Sequence, residues 1–119
     1  MGSSASSQCK NKYGNFSWKF KVSIVHFDGK LQQWKQPLKA GYVLSQNPNS
    51  FICSSNSMYI GSLLPHVAPS EELQVGEIYF LIPLFKSDIP LSLQELGALA
   101  VKAHAALTHS INKSSYVLL

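Results

Sequence analysis

The sequence predicts a small α+β domain, and three observations carry that prediction. Trp18, Phe20, Val22 and Ile24 alternate with Lys19, Lys21 and Ser23, a period-two strand that leads into Asp28-Gly29, a strong hairpin signal. Glu77-Ile-Tyr-Phe-Leu-Ile82 is nearly continuous in apolar residues, which suits a central strand covered on both faces. Ser92 with Glu95 forms a capping box, and Leu91 with Leu96 the matching hydrophobic staple, at the head of a helix. The 119 residues are enough for one domain with a modest core.

Taken in order, the hairpin continues into a second strand over residues 31–35. Its turn stays open between two forms. A type I′ turn needs positive φ at both central residues, whereas a three-residue loop with a Gly bulge shifts every pairing by one. Pro37 suits the first turn of a helix, and Leu38, Ala40, Val43 and Leu44 recur at helical spacing until Asn47-Pro48 ends it. Residues 51–54 and 58–60 read as two short strands around a polar turn, and 63–70 as irregular, broken by Pro65 and Pro69. Gly76 permits a bend into the central strand, and Pro83 ends that strand by removing a ladder donor. In the last helix Leu93, Leu96, Ala100, Ala103 and Leu107 form one stripe, and residues 108–119 fray into a tail. A hairpin, a short helix, three strands and a helix fit a β-grasp-like (ubiquitin-type) arrangement. That is a small mixed sheet with a short helix after the first hairpin and a C-terminal helix packed on the sheet.

The N-terminus carries the clearest signal about location. In Met-Gly-Ser-Ser-Ala-Ser, removal of Met1 exposes the Gly2 amine, and Ser6 stands where the myristoylation pattern wants Ser or Thr. One myristoyl chain binds a bilayer only marginally, so a stable anchor needs a second element. Cys9 is the candidate for S-palmitoylation. Lys10, Lys12, Lys19 and Lys21 are the basic membrane-facing candidates, each contributing about 1 kcal/mol near an anionic leaflet. An unmodified Ser-rich leader is the alternative.

Charge supports a meeting with something anionic. The first 40 residues hold seven lysines against Asp28 alone, a net +6, while the remainder carries −2. There is no arginine, which argues against sequence-specific reading of DNA, where Arg to guanine is the commonest contact. No apolar run reaches the length of a spanning helix and no signal-peptide core follows Met1, so an intracellular protein is expected. Cys9 and Cys53 make no disulfide framework. Cys53 reads as a buried residue on the Phe51 face of a strand, and Ser54 and Ser55 lack a nucleophile elbow. The histidines at 26, 66, 104 and 109 show no ligand spacing; the last two lie five apart, about 140° around a helix. Trp34, near Lys30, Lys35 and Lys39, is either a stacking platform for single-stranded nucleic acid or a packed sheet residue, and packing is favoured. Tyr116-Val-Leu-Leu119 is either a strand to add to a partner or a frayed end.

From about Val22 to Ala106 the chain resembles the plant PADRE domain family. The likeness rests on Val25-His-Phe-Asp-Gly-Lys-Leu31, Pro37-Leu-Lys-Ala-Gly-Tyr-Val-Leu44, Asn47-Pro-Asn-Ser-Phe-Ile-Cys53 and Ser57-Met-Tyr59. It continues in Glu72-Leu-Gln-Val-Gly-Glu-Ile-Tyr-Phe-Leu-Ile-Pro83 and Pro90-Leu-Ser-Leu-Gln-Glu-Leu-Gly-Ala-Leu-Ala-Val-Lys-Ala103. The resemblance implies a small plant protein linked to pathogen and abiotic stress responses, with no catalytic residues to carry over. The expected layout is a flexible arm with the lipidation signal over residues 1–17, one PADRE-like domain over 18–107, and a tail over 108–119. The expected function is a non-enzymatic interaction or adaptor domain tethered at the cytoplasmic face of a membrane, the plasma membrane first. It would meet an anionic membrane surface and a protein partner, with no cofactor, no metal, no small-molecule substrate and no sequence-specific nucleic acid. The alternative is a soluble or nuclear binding module whose basic half meets acidic proteins or nucleic acid.

Overall fold

The computed structural model describes residues 17–118. Its first element is a 3₁₀ turn, Ser17–Phe20, and not the strand that the alternation from Trp18 suggests. The strand begins at Val22. Lys21 donates its N–H to Trp18 O at 3.1 Å, which closes the turn and withholds those residues from the sheet ladder.

Val22–His26 (β1) and Leu31–Trp34 (β2) form the antiparallel hairpin, with Val25 opposite Leu31. The turn takes the three-residue form. His26 N–H donates to Lys30 O at 2.7 Å, Gly29 N–H to His26 O at 2.8 Å, and Gly29 has φ +97°. Among the described residues no non-glycine has positive φ, which excludes type I′, since that turn would need it at Asp28 as well. Asp28 instead accepts the Lys30 N–H at 3.0 Å.

Leu38–Lys39 (β3) is a strand, where helical spacing suggested the start of a helix; the helix (α1) is Ala40–Gln46. The correction has a local cause. Ala40 and Gly41, whose N–H groups have no partner inside the helix, donate to Glu71 O at 2.8 Å and Pro69 O at 2.9 Å. Those bonds hold residues 38–41 against Glu72–Leu73 (β5), which pairs antiparallel with β3. Asn47 ends α1 as expected, its N–H on Leu44 O at 3.0 Å and its side-chain amide on Val43 O at 2.9 Å.

Ser50–Ser54 (β4) follows. Residues 58–60, expected as a strand, are irregular and come after a 3₁₀ turn, Ser55–Ser57. Val67 reaches the β4 strand instead, donating its N–H to Ile52 O at 2.8 Å. Ile78–Pro83 (β6) then enters between β1 and β4, giving the order β2-β1-β6-β4 with β1 and β6 parallel and the other pairs antiparallel. With the β3–β5 pair and two helices, the chain is mixed α+β as expected.

The sheet has a core on each face. On one, Val22, Ile24, Ile52, Tyr79 and Leu81 pack beneath Ala40, Val43 and Leu73. On the other, Val25, Phe51, Cys53, Phe80 and Ile82 pack beneath Leu64, Leu91 and Leu99. The expectation that β6 is covered on both sides therefore holds, and β1 shares the role. Ser23 is fully buried in β1, its hydroxyl accepting the Gln33 amide at 3.0 Å.

The second helix (α2) spans Leu93–Leu118. Ser92 Oγ accepts the Glu95 N–H at 3.0 Å, half of a capping box, while the Glu95 carboxylate is paired with Lys86. The packed stripe is Leu96, Leu99 and Ala103, rotated from the expected one: Leu93 is 68% exposed and Ala100 is exposed. Lys102 Nζ donates to Phe27 O at 2.8 Å, a further contact between the helix and the hairpin turn. No Gly or Pro follows Gly97, so the backbone stays helical to Leu118, through most of the segment read as a frayed tail. No helix among the described residues is long and apolar enough to cross a membrane.

Candidate functional site

At one end of the sheet β1 and β6 begin, β4 finishes, and β2 leaves at Trp34 opposite Val22. Three turns meet there: residues 17–20, 74–77 and 55–59. They are tied by hydrogen bonds, not merely adjacent. Gly76 N–H donates to Lys21 O at 2.9 Å, and Ser23 N–H to Glu77 O at 3.3 Å. Asn56 Nδ2 donates to Glu77 Oε1 at 2.7 Å, and Tyr59 Oη to Asn56 O at 3.4 Å. Gly76 has φ +89°, and a Cβ there would lie 3.3 Å from Lys19 O, so the close approach of two turns calls for glycine at this position.

Each turn presents apolar surface to solvent. Phe20 is 69% exposed, Tyr59 65% and Val75 37%. Lys19 is exposed, its Nζ 5.7 Å from the Trp18 ring centroid; Lys21 is half-buried and Lys35 exposed. Aromatic rings and lysines stand side by side here, with the Glu77 carboxylate bonded to Asn56 among them and Glu71 and Glu72 lining a hollow with Ser54, Ser57 and Gln74 alongside. Such a surface suits an interface of mixed polarity.

Of the residues that the sequence singles out, Lys19 and Lys21 fall on this end. Gly2, Cys9, Lys10 and Lys12 lie outside the described residues. Phe20 and Tyr59 were expected inside strands, so the sequence alone hid them. Only the glycine at 76 hinted that backbones crowd here.

The other candidates have structural roles. Cys53 is fully buried on the Phe51 face, and burial pushes its thiol up to about 11, the opposite of an activated nucleophile. The exposed His66 ring stacks on Phe51 with centroids 3.9 Å apart and planes at 10°. His26 Nε2 bonds Gln32 Oε1 at 2.8 Å across the hairpin. Trp34 is half-buried against Leu38 and the first core, the packed reading, beside an open hollow of about 480 Å³ that also includes Lys35 and Tyr42. Lys39 Nζ is directed to Ser70 O at 3.2 Å. Burial raises the pKa of Tyr79 against a lowering contribution from the Gln74 N–H, which donates to its hydroxyl at 2.9 Å. Among the described residues no group of three His, Cys, Asp or Glu side chains could hold a metal ion. At the opposite end of the sheet, a groove of about 450 Å³ runs beside Phe27, where Lys102 Nζ lies 4.4 Å from the ring centroid. The side chains at 116–119 are not described.

No curated protein and no solved structure matches the chain. The family model described as the PADRE domain matches residues 1–117. That family has no established molecular function and is not a known enzyme family. The match spans nearly the whole sequence and agrees with the blocks from Val25 to Ala103, so this chain belongs to the PADRE domain family.

Proposed function

We propose that this chain is a non-enzymatic interaction module of plant stress or defence responses, held at the cytoplasmic face of a membrane by acylation of Gly2. The observation that carries the reading is the N-terminal pattern, Gly2 with Ser6 and then Cys9, Lys10 and Lys12, ahead of a domain whose first described turn is itself lysine-bearing. A single acyl chain needs a partner signal, and either Cys9 or the lysines can supply one. The function would then be local concentration: tethering raises the frequency with which a bound partner meets its target at the bilayer.

Expression of the wild type and Gly2→Ala in plant cells, followed by fractionation and intact-mass measurement, tests the tether. The wild type is expected in the membrane fraction with the mass of one myristoyl group added, and Gly2→Ala in the soluble fraction without it. Equal distribution of the two overturns the proposal. An unmodified terminus together with steeply salt-dependent association would favour the soluble or nuclear module.

A further inference from the structure

We propose that the outer edge of β2 is where two copies of this chain pair. The two β2 strands run antiparallel about a twofold axis at Gln32 and join the two four-stranded sheets edge to edge. This pairing goes beyond the tethered reading above and does not depend on it.

The hairpin decides which backbone groups of β2 are left over. His26 N–H donates to Lys30 O, so the bonded pairs of this antiparallel ladder are His26–Lys30, Ile24–Gln32 and Val22–Trp34. The N–H and C=O groups of Leu31 and Gln33 therefore point away from β1. Among the described residues none bonds to them, and β2 has no second neighbour in the sheet. The edge at β4 differs: there Val67 N–H takes Ile52 O at 2.8 Å, and the His66 ring stacks on Phe51. One edge is covered by its own chain; the other is not.

Self-complementarity identifies the occupant. Pairing Leu31 with Gln33 of a second copy, and Gln33 with its Leu31, satisfies all the outward groups of both residues. Gln32 then faces Gln32 of the copy. Its Oε1 is bonded to His26 Nε2 at 2.8 Å, which leaves the amide N–H groups to donate across the axis. In this register Lys30 faces Trp34 of the copy. Trp34 stands beside the open hollow of about 480 Å³ that Pro37, Leu38 and Tyr42 also line, and the exposed Lys30 side chain is long enough to enter it and lie against the rings.

Charge is the obstacle, since lysines on an edge strand ordinarily keep sheets apart. The antiparallel register answers it. Lys30 and Lys30 of the copy stand about 14 Å apart along the strands. Lys35 lines the same hollow that Lys30 of the copy enters, but the incoming hairpin turn also carries the exposed Asp28 to Lys35. Each lysine thus meets a ring or a carboxylate. A slip of the pairing to the next bonded register, in either direction, sets Lys30 opposite Gln32 or Gln36 of the copy and loses the Trp34 contact.

Sedimentation equilibrium of the full chain, from micromolar to submillimolar concentration, is expected to show monomer passing to dimer, because so short a pairing is weak. Gln33→Pro removes an outward N–H that the hairpin itself does not use, and should weaken dimerisation by about tenfold or more. Lys30→Ala, at an exposed position, should weaken it by about fivefold. Cross-linking reads the register in a Cys9→Ser background, where Cys53 is buried. Gln32→Cys should form an intermolecular disulfide on mild oxidation, because facing Cα atoms at a non-hydrogen-bonded antiparallel pair stand about 4.5 Å apart. Lys35→Cys, about 20 Å from its counterpart along the strands, should not. Circular dichroism confirms that each variant is folded. A monomer at every concentration overturns the proposal and leaves the edge to an extended segment of another protein. A dimer that Gln33→Pro and Lys30→Ala leave unchanged, or equal cross-linking through both cysteine variants, overturns it as well.

Discussion

One face of the sheet is roofed by α1 and the β3–β5 pair, whose backbone is bonded from Ala40 to Glu71 and from Gly41 to Pro69. The other is roofed by the 58–64 segment and α2. The backbone bonds on that side, Gly61 to Leu91 and Leu91 to Ser62, lie ahead of the helix. From Leu93 onward the helix is held by side chains: Leu96, Leu99 and Ala103 in the core, the Lys86–Glu95 pair, and Lys102 on Phe27 O. Both roofs bury their anchors almost fully, with Ala40, Val43 and Leu73 at 0% exposure and Leu91 and Leu99 at 2%. What differs is the manner of attachment. A roof whose segments are bonded to each other through their backbones has to open as one larger piece, whereas a helix docked by side chains can lift by itself.

The largest effect expected is from Ile52→Ala beneath the first roof, a loss of about 3 to 4 kcal/mol in urea unfolding, because a buried side chain is removed from a site with little room to collapse. Leu99→Ala under the second roof should cost about 2 to 3 kcal/mol. The comparison turns on what else Leu99→Ala does. Cys53 lies beneath α2, so in a Cys9→Ser background its labelling by a thiol reagent reports the lifting of that roof. Leu99→Ala should speed native-state labelling by about thirtyfold or more, and Ile52→Ala by much less than its stability loss would suggest. Labelling rates that follow global stability in both variants would break the distinction.

Two glycines sharpen it further. A Cβ at Gly41 would lie 3.1 Å from the Pro69 carbonyl oxygen, inside the knitted roof, so Gly41→Ala should destabilise by about 1 to 2 kcal/mol. At Gly97 in α2 a Cβ meets nothing within 4 Å, and Gly97→Ala should stabilise by about 0.5 to 1 kcal/mol while slowing Cys53 labelling. The same sign in both substitutions would contradict the geometry. The smallest effect is confined to alkaline pH. The folded state holds the Cys53 thiol neutral up to about 11 against an ordinary value of 9.0. Between those values the unfolded chain binds fewer protons, so stability falls as pH rises. Cys53→Ala should flatten that slope in unfolding curves measured across the window.

Much of this was legible in the residues. Asn47-Pro48 stopped a helix, Gly76 bent the chain and Pro83 ended β6, because proline and glycine act through their own backbones. The Phe51–Cys53 alternation placed Cys53 on the correct face, since side chains on a strand alternate regardless of partner. The errors share a cause. Trp18 and Phe20 continued a strand pattern that the 3₁₀ turn cut short, and Leu38 fitted a helix that its pairing with Leu73 displaced. Residues 58–60 read as a strand, yet Val67 bonds to Ile52 and they stay irregular. The stripe on α2 was misplaced by about one position because Leu99, packed in one cluster with Val25, Phe51 and Phe80, takes the inward face, and those strand residues are remote in sequence.

The sequence by itself determined where elements stop, which strand is central, and that lysines gather in the first third of the chain. Local sterics and charge decide those matters within a few residues. Only the tertiary structure decided that residues 17–20, 55–59 and 74–77 converge, leaving Phe20 and Tyr59 exposed beside Lys19. That convergence depends on the parallel pairing of Ser23 with Ile78 and the antiparallel pairing of Ser54 with Tyr79, which join segments dozens of residues apart. No local preference encodes such a register; it is set by the burial of both faces of β1 and β6 together.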